Sequence, residues 1–106
     1  MMDVIWGAKA KHSYIDELDR INKCHTVKEV EKFINLVEEV ILNLSTGVLE
    51  GKVSRGTKIN SLVISRQTTL FFDIDRNNSR LELLLFWRNK ENPIKLLKFL
   101  KGFQSE

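Results

Sequence analysis

Six cationic side chains stand where a polyanion could be gripped. Lys52, Arg55 and Lys58 lead into one strand-like segment, Arg66 sits in the turn between two others, and Arg88 and Lys90 follow the last. Gathered on one side of a sheet, such groups would hold RNA phosphates and stabilise the charge that builds up during cleavage. They would serve equally to receive an acidic protein segment, or simply to solvate the surface. Acid–base cleavage of RNA also needs a side chain that titrates near neutrality, and no histidine or tyrosine lies beyond residue 25. All six cations are therefore candidates as contacts before catalysts.

Other chemistry finds less support. His12 and His25 lie far apart, and Cys24 next to His25 has no partner at a metal-ligand spacing. Sequence neighbours seldom face one another as nucleophile and base, so Cys24 reads as structural or incidental. Gly51 and Gly56 bracket a segment without the strand, loop and helix that a phosphate loop requires. Carboxylates such as Glu38 and Glu39 belong to a solvated helical face. The sequence asks for neither a metal nor a cofactor.

The chain has 106 residues, enough for a single domain over 1–106 with one core. At 42% hydrophobic and 29% charged it has the composition of an ordinary globular protein. No apolar stretch approaches a membrane span, and the first residues do not resemble a signal peptide. With one cysteine and so no internal disulfide, these features point to the cytoplasm. The net charge of +3 is unevenly spread. Residues 1–50 carry 6 Lys+Arg against 9 Asp+Glu, a balance of −3, and residues 51–106 carry 11 against 5, a balance of +6. A basic carboxyl half suits nucleic acid or an acidic partner.

The elements that must position these cations follow from periodicity. Val4, Ile5 and Trp6 predict a short first strand, ended by Gly7. Tyr14, Ile15, Leu18 and Ile21 predict one face of a helix, with Asp16, Glu17, Asp19 and Arg20 on the other and a break at 22–25. Thr26 with Glu29 forms a capping box. Behind it Val27, Val30, Phe33, Ile34, Val37, Val40, Ile41 and Leu44 step by three and four, a helix over 27–44 that stops near Gly47. Two such helices in succession predict a hairpin that covers something flat.

A polar link over 48–56 follows, then three strands: 59–64, 70–74, and the run from Leu81 through Trp87. That last run is apolar at nearly every position, the mark of a strand buried on both faces, and predicts the central strand. In the second of the three, Leu70, Phe72 and Ile74 should share one face and Thr69, Phe71 and Asp73 the other. Asn92-Pro93 caps a short, basic terminal helix that runs to about residue 101. The order β-α-α-β-β-β is an α+β architecture, with an N-terminal helical hairpin packed on a mainly antiparallel sheet and a short C-terminal helix.

The chain then resembles the RelE/ParE superfamily, toxins of type II toxin–antitoxin systems, over nearly its whole length. The resemblance is strongest from Leu62 through Phe72 (LVISRQTTLFF) and from Phe86 through Pro93 (FWRNKENP), the latter similar to the family's closing Trp-Asp-Asn-Arg-Gln-Asp/Asn-Pro. It implies the RelE/ParE toxin fold and a small cytoplasmic toxin, as in plasmid stabilization, neutralised by a cognate antitoxin within a toxin–antitoxin hetero-oligomer. RelE-type members cut messenger RNA on the ribosome without a metal, and ParE-type members inhibit DNA gyrase. The motif's aspartate is Arg88 here and its arginine Lys90. An arginine common before the second strand's core is Asn60, and a tyrosine common in the third strand is Phe72. Lysine cannot give arginine's bidentate grip on phosphate, and Phe72 has no hydroxyl. The usual catalytic residues thus look replaced, and the expectation is a ParE-like toxin that binds its target, with Lys58, Arg66, Arg88 and Lys90 as the candidate site residues. Its alternatives are a ribosome-dependent mRNA endoribonuclease and a degenerate, non-toxic binding or regulatory member.

Overall fold

The computed structural model describes residues 2–47, 52–53, 59–90, 94–96 and 98. Its elements run β1 (Asp3–Trp6), α1 (Ala8–Cys24), α2 (Val27–Ser45), β2 (Lys52–Val53), β3 (Asn60–Val63), β4 (Thr68–Asp75) and β5 (Arg80–Arg88). Residues 94–96 and 98 are helical. The expected α+β architecture is present. Two residues of the supposed link, Lys52 and Val53, pair as an extra strand with Ser61 and Asn60. Lys58, Arg55, the Asn92-Pro93 cap and the end of the terminal helix lie outside the described residues.

One mixed sheet has the order β1-β5-β4-β3-β2. β1 runs parallel to β5, and the other pairs are antiparallel. β5 is therefore interior, between β1 and β4, while the middle position belongs to β4. The run Leu81 to Trp87 is buried at every position except Glu82, as two-sided burial requires. A register shift in the β4–β5 ladder opposes Phe71 to Leu85 and Phe72 to Leu83, which leaves Leu84 without an opposite number. Leu81, Leu83 and Phe86 then join the core under the helices, while Leu84, Leu85 and Trp87 pack with Ile59 and Phe71 on the opposite side, where Leu96 covers them. On β4, Leu70, Phe72 and Ile74 pack toward the helices and Phe71 away from them, the alternation expected.

The hairpin supplies the cover. Thr26 caps α2 by accepting a hydrogen bond from the Glu29 N–H at 3.4 Å. Phe33, Val37, Val40 and Leu44 form its buried stripe. Gly47, at φ +82°, ends it in the left-handed region that favours glycine. Gly7 is required for another reason: its N–H bonds Leu83 O at 3.0 Å, and a Cβ there would stand 2.9 Å from the same oxygen. The chain can turn from β1 into α1 against β5 only without a side chain. Trp6, Tyr14 and Phe86 cluster with ring centroids 5.1–5.7 Å apart, Trp6 stacked on Phe86 and Tyr14 tilted against both, and Tyr14 reaches Phe33 of α2 at 6.1 Å.

α1 departs from the sequence reading twice. Tyr14, Leu18 and Ile21 face the core as expected, but Ala10 and Glu17 join them in place of Ile15: Glu17 is buried at 6% exposure while Ile15 is 62% exposed. The break expected at 22–25 is a continuation of the helix to Cys24, held by a Lys23–Asp19 pair at 3.2 Å and by the His25 N–H on Ile21 O at 2.8 Å. Asn22, Lys23 and Cys24 are all exposed, so the last turn continues the helix without apolar residues to bury. In the β4–β5 turn, hydrogen bonds from the Asn78 side chain and backbone hold the Asp75 carboxylate below its usual range.

Leu83→Ala should cost about 2–5 kcal/mol, the transfer term plus a cavity under the helices. Ile15→Ala should stay within about 0.5 kcal/mol, as exposed substitutions do. Urea denaturation of both variants measures which face of α1 meets the sheet.

Candidate functional site

The strands and helices deliver several cations to one rim. Beyond Trp6, β5 loses β1 as a neighbour, and α1 takes its place. There the Ser13 hydroxyl accepts from the Phe86 N–H at 2.9 Å and donates to Lys9 O at 2.6 Å. One turn further along, Glu17 enters the space beneath α1. Its carboxylate accepts from the Thr68 hydroxyl at 2.8 Å and from Arg20 Nη2 and Nε at 2.8 and 3.2 Å. Arg20 Nη2 also donates to Gln67 Oε1 at 3.1 Å. The hydrogen bond it donates to Glu17 holds the Arg20 guanidinium above its ordinary pKa, with burial opposing. Helix α1 is thereby bolted to the start of β4, and Arg20 and Gln67 are held at the rim.

Asn89 makes the second fastening. Its backbone N–H bonds Gln67 O at 2.8 Å, its side-chain amide donates to Arg66 O at 3.0 Å, and its side-chain oxygen accepts from Thr69 Oγ1 at 2.6 Å. The turn at 65–67 is thus tied to the residues leaving β5. Arg66, Arg88 and Lys90 become neighbours of one architectural corner although they are spread over 25 positions of sequence.

Two adjoining cavities open there. One, of about 610 Å³, is lined by Arg20, Cys24, His25, Gln67, Arg88 and Lys90. The other, of about 370 Å³, shares His25 and Gln67 and adds Ile21, Phe33 and Leu36 with Arg66, Lys32 and Glu29. Of the sequence candidates, Arg88 and Lys90 meet in the larger cavity, Arg66 lines the smaller, and Lys58 lies outside the described residues. Asn60 and Phe72 face each other across β3 and β4, and Phe72 is fully buried among apolar side chains. Arg20, His25, Gln67 and Asn89 were not legible as site residues. The sequence argument that no titratable ring stands near the cations fails for a spatial reason. The α1–α2 connection carries His25 into the same cavity as Arg88 and Lys90. Cys24 is exposed beside it, and among the described residues no group of His, Cys, Asp and Glu could hold a metal ion.

Comparison with known proteins bears on the fold. No protein-family model matches the sequence, and no curated protein does. Among solved structures, the chain is similar to one from the chromosomal ParDE TA system of P. aeruginosa, with a TM-score of 0.67 and 18% identity over 83% of this chain and 96% of that one. It is similar also to a metal-bound toxin from Helicobacter pylori, with a TM-score of 0.60 and 14% identity over 84% and 96%, and equally to a copper-bound mutant toxin from the same organism. The chain shares its fold with these solved structures, in line with the architecture expected from its sequence. No helix among the described residues is long and apolar enough to cross a membrane.

The Glu17 network makes a graded prediction. Thr68→Val removes one hydrogen bond to a charged acceptor and should cost roughly 1.5–3 kcal/mol. Glu17→Leu strands Arg20 and should cost about 3–5 kcal/mol, whereas Glu17→Leu with Arg20→Leu should recover most of that loss. A double-mutant cycle by chemical denaturation reads the coupling directly.

Proposed function

We propose that this protein, over residues 1–106 as one domain, is the toxin component of a type II toxin–antitoxin module. A cognate antitoxin encoded beside it neutralises it in the cytoplasm, and it acts by binding its target in the manner of gyrase inhibitors. The observation that carries this reading is the fold shared with a ParDE chain and with toxins from Helicobacter pylori across more than four-fifths of the chain. The alternation of Arg88, Asn89 and Lys90 supports binding rather than cleavage. Asn89 is consumed in holding the turn at 65–67, and the residues to either side of it are cations suited to an acidic surface. Phe72, buried and apolar, supplies no proton and no access to substrate. Arg66, Arg88, Lys90 and, by sequence position, Lys58 are the proposed contacts.

A second reading, ribosome-dependent cleavage of messenger RNA, is favoured by one observation. His25 shares a cavity with Arg88 and Lys90, and imidazole beside cations is the combination that acid–base cleavage of RNA uses.

Induced expression of the chain alone should arrest growth, with DNA breaks and filamentation and without new 5′ ends in messenger RNA. Primer extension on induced cells separates the readings. Cuts within translated codons would replace the gyrase reading by the nuclease one, and normal growth at high expression would remove both. Arg88→Glu with Lys90→Glu should restore growth at unchanged protein level.

A further inference from the structure

The corner where the two cavities meet has a composition that contact with a flat protein surface does not require. Its larger half carries Arg20, His25, Arg88 and Lys90, and among the described residues lining it none is acidic. Arg20 is already engaged by Glu17, which lies behind it rather than in the cavity. The smaller half has an apolar floor of Ile21, Phe33 and Leu36, and its one carboxylate, Glu29, is paired with Lys32 at 3.5 Å. The carboxyl end of α1 and the capped amino end of α2 meet at this corner, so their opposite partial charges offset. The formally charged side chains that line the larger half, among the described residues, are all cationic.

We propose that this cleft is a binding site for a phosphate monoester of nucleotide size. The phosphate sits among Arg88, Lys90 and His25, and the organic part lies past Gln67 against Ile21, Phe33 and Leu36. Volumes of about 610 and 370 Å³ fall in the range of roughly 300–1,000 Å³ usual for small-molecule sites. The fixed parts of the wall are unusually well held for a surface cleft. Gln67 is bonded through its side chain to Arg20 and through its carbonyl to the Asn89 N–H, so the junction between the two halves is set before any ligand arrives. Among the described residues, Arg88 and Lys90 meet with His25 in one cavity, a grouping that suits a single phosphate group. Gln67 stands where a sugar or base edge would need a hydrogen-bonding partner.

The site shares Arg88 and Lys90 with the proposed target contacts, but it is tested on the isolated protein, so its failure leaves the toxin reading standing. Isothermal titration at low salt would compare adenosine monophosphate, inorganic phosphate, adenosine and a short single-stranded oligonucleotide. The monophosphate should bind saturably and about tenfold or more tighter than phosphate or adenosine, since both halves then contribute. Arg88→Gln and Lys90→Gln should each weaken it by about tenfold, the loss of a charge-assisted hydrogen bond, and Lys11→Gln, on the exposed side of α1, should not. Circular dichroism of each variant checks that the fold is retained. No saturable binding of the monophosphate would overturn the proposal, as would equal binding of phosphate and monophosphate, tighter binding of the oligonucleotide, or indifference to both substitutions in folded protein.

Discussion

β5 has to be covered on both faces, and most of the fold is the means of doing so. Its run from Leu81 to Trp87 offers apolar side chains in both directions. The helical hairpin covers Leu81, Leu83 and Phe86, while Leu84, Leu85 and Trp87 need a second cluster, built from Ile59 and Phe71 with Leu96 over it. The unmatched Leu84 makes this division possible, because an extra residue lets two neighbours, Leu84 and Leu85, face the same way. Without it, strict alternation would turn Phe86 away from Trp6 and Tyr14. The strand then ends at the rim with Arg88, and the direction of that exit is inherited from the packing below it.

Where apolar burial stops, polar fastening begins. β1 ends at Trp6, so the upper part of β5 borders a helix instead of a strand, and Ser13 meets its exposed N–H. Glu17 is a costlier solution, a carboxylate removed from water and retained with three hydrogen bonds from Thr68 and Arg20. A buried pair of this kind adds little net stability against apolar replacements, but it tolerates few alternative arrangements. Its position suits specification: it sets α1 against β4 next to the cavity, where a purely apolar contact would let the helix slide.

The sequence disclosed what depends on periodicity. The α2 stripe from Val30 onward (Val27 is exposed), the Thr26 cap, the β4 alternation and the two-sided burial of β5 are each written in local spacing, and each is present. α1 misled because a buried Glu17 reads as solvent-facing in any hydrophobicity pattern. The stripe Ala10, Tyr14, Glu17 and Ile21, spaced by four, three and four, is the signal that marks it. β2 escaped notice because two residues are too few to alternate. For the site, Arg66, Arg88 and Lys90 could be named from charge, but Arg20, His25 and Gln67 could not. Their nearness to the cations is a product of the hairpin crossing the sheet, and no spacing along the chain encodes it.

The proposed function makes this chain, with its cationic corner at the end of β5, the target of an antitoxin. The antitoxin required by that account is the part of it most open to direct measurement. Co-expression with the product of the adjacent reading frame, followed by affinity capture on this chain and light scattering of the eluate, should yield a stable complex of the two proteins. The complex should weaken sharply when Arg88 and Lys90 are reversed in charge. Elution of this chain alone, with the neighbouring product expressed and folded, would contradict the account.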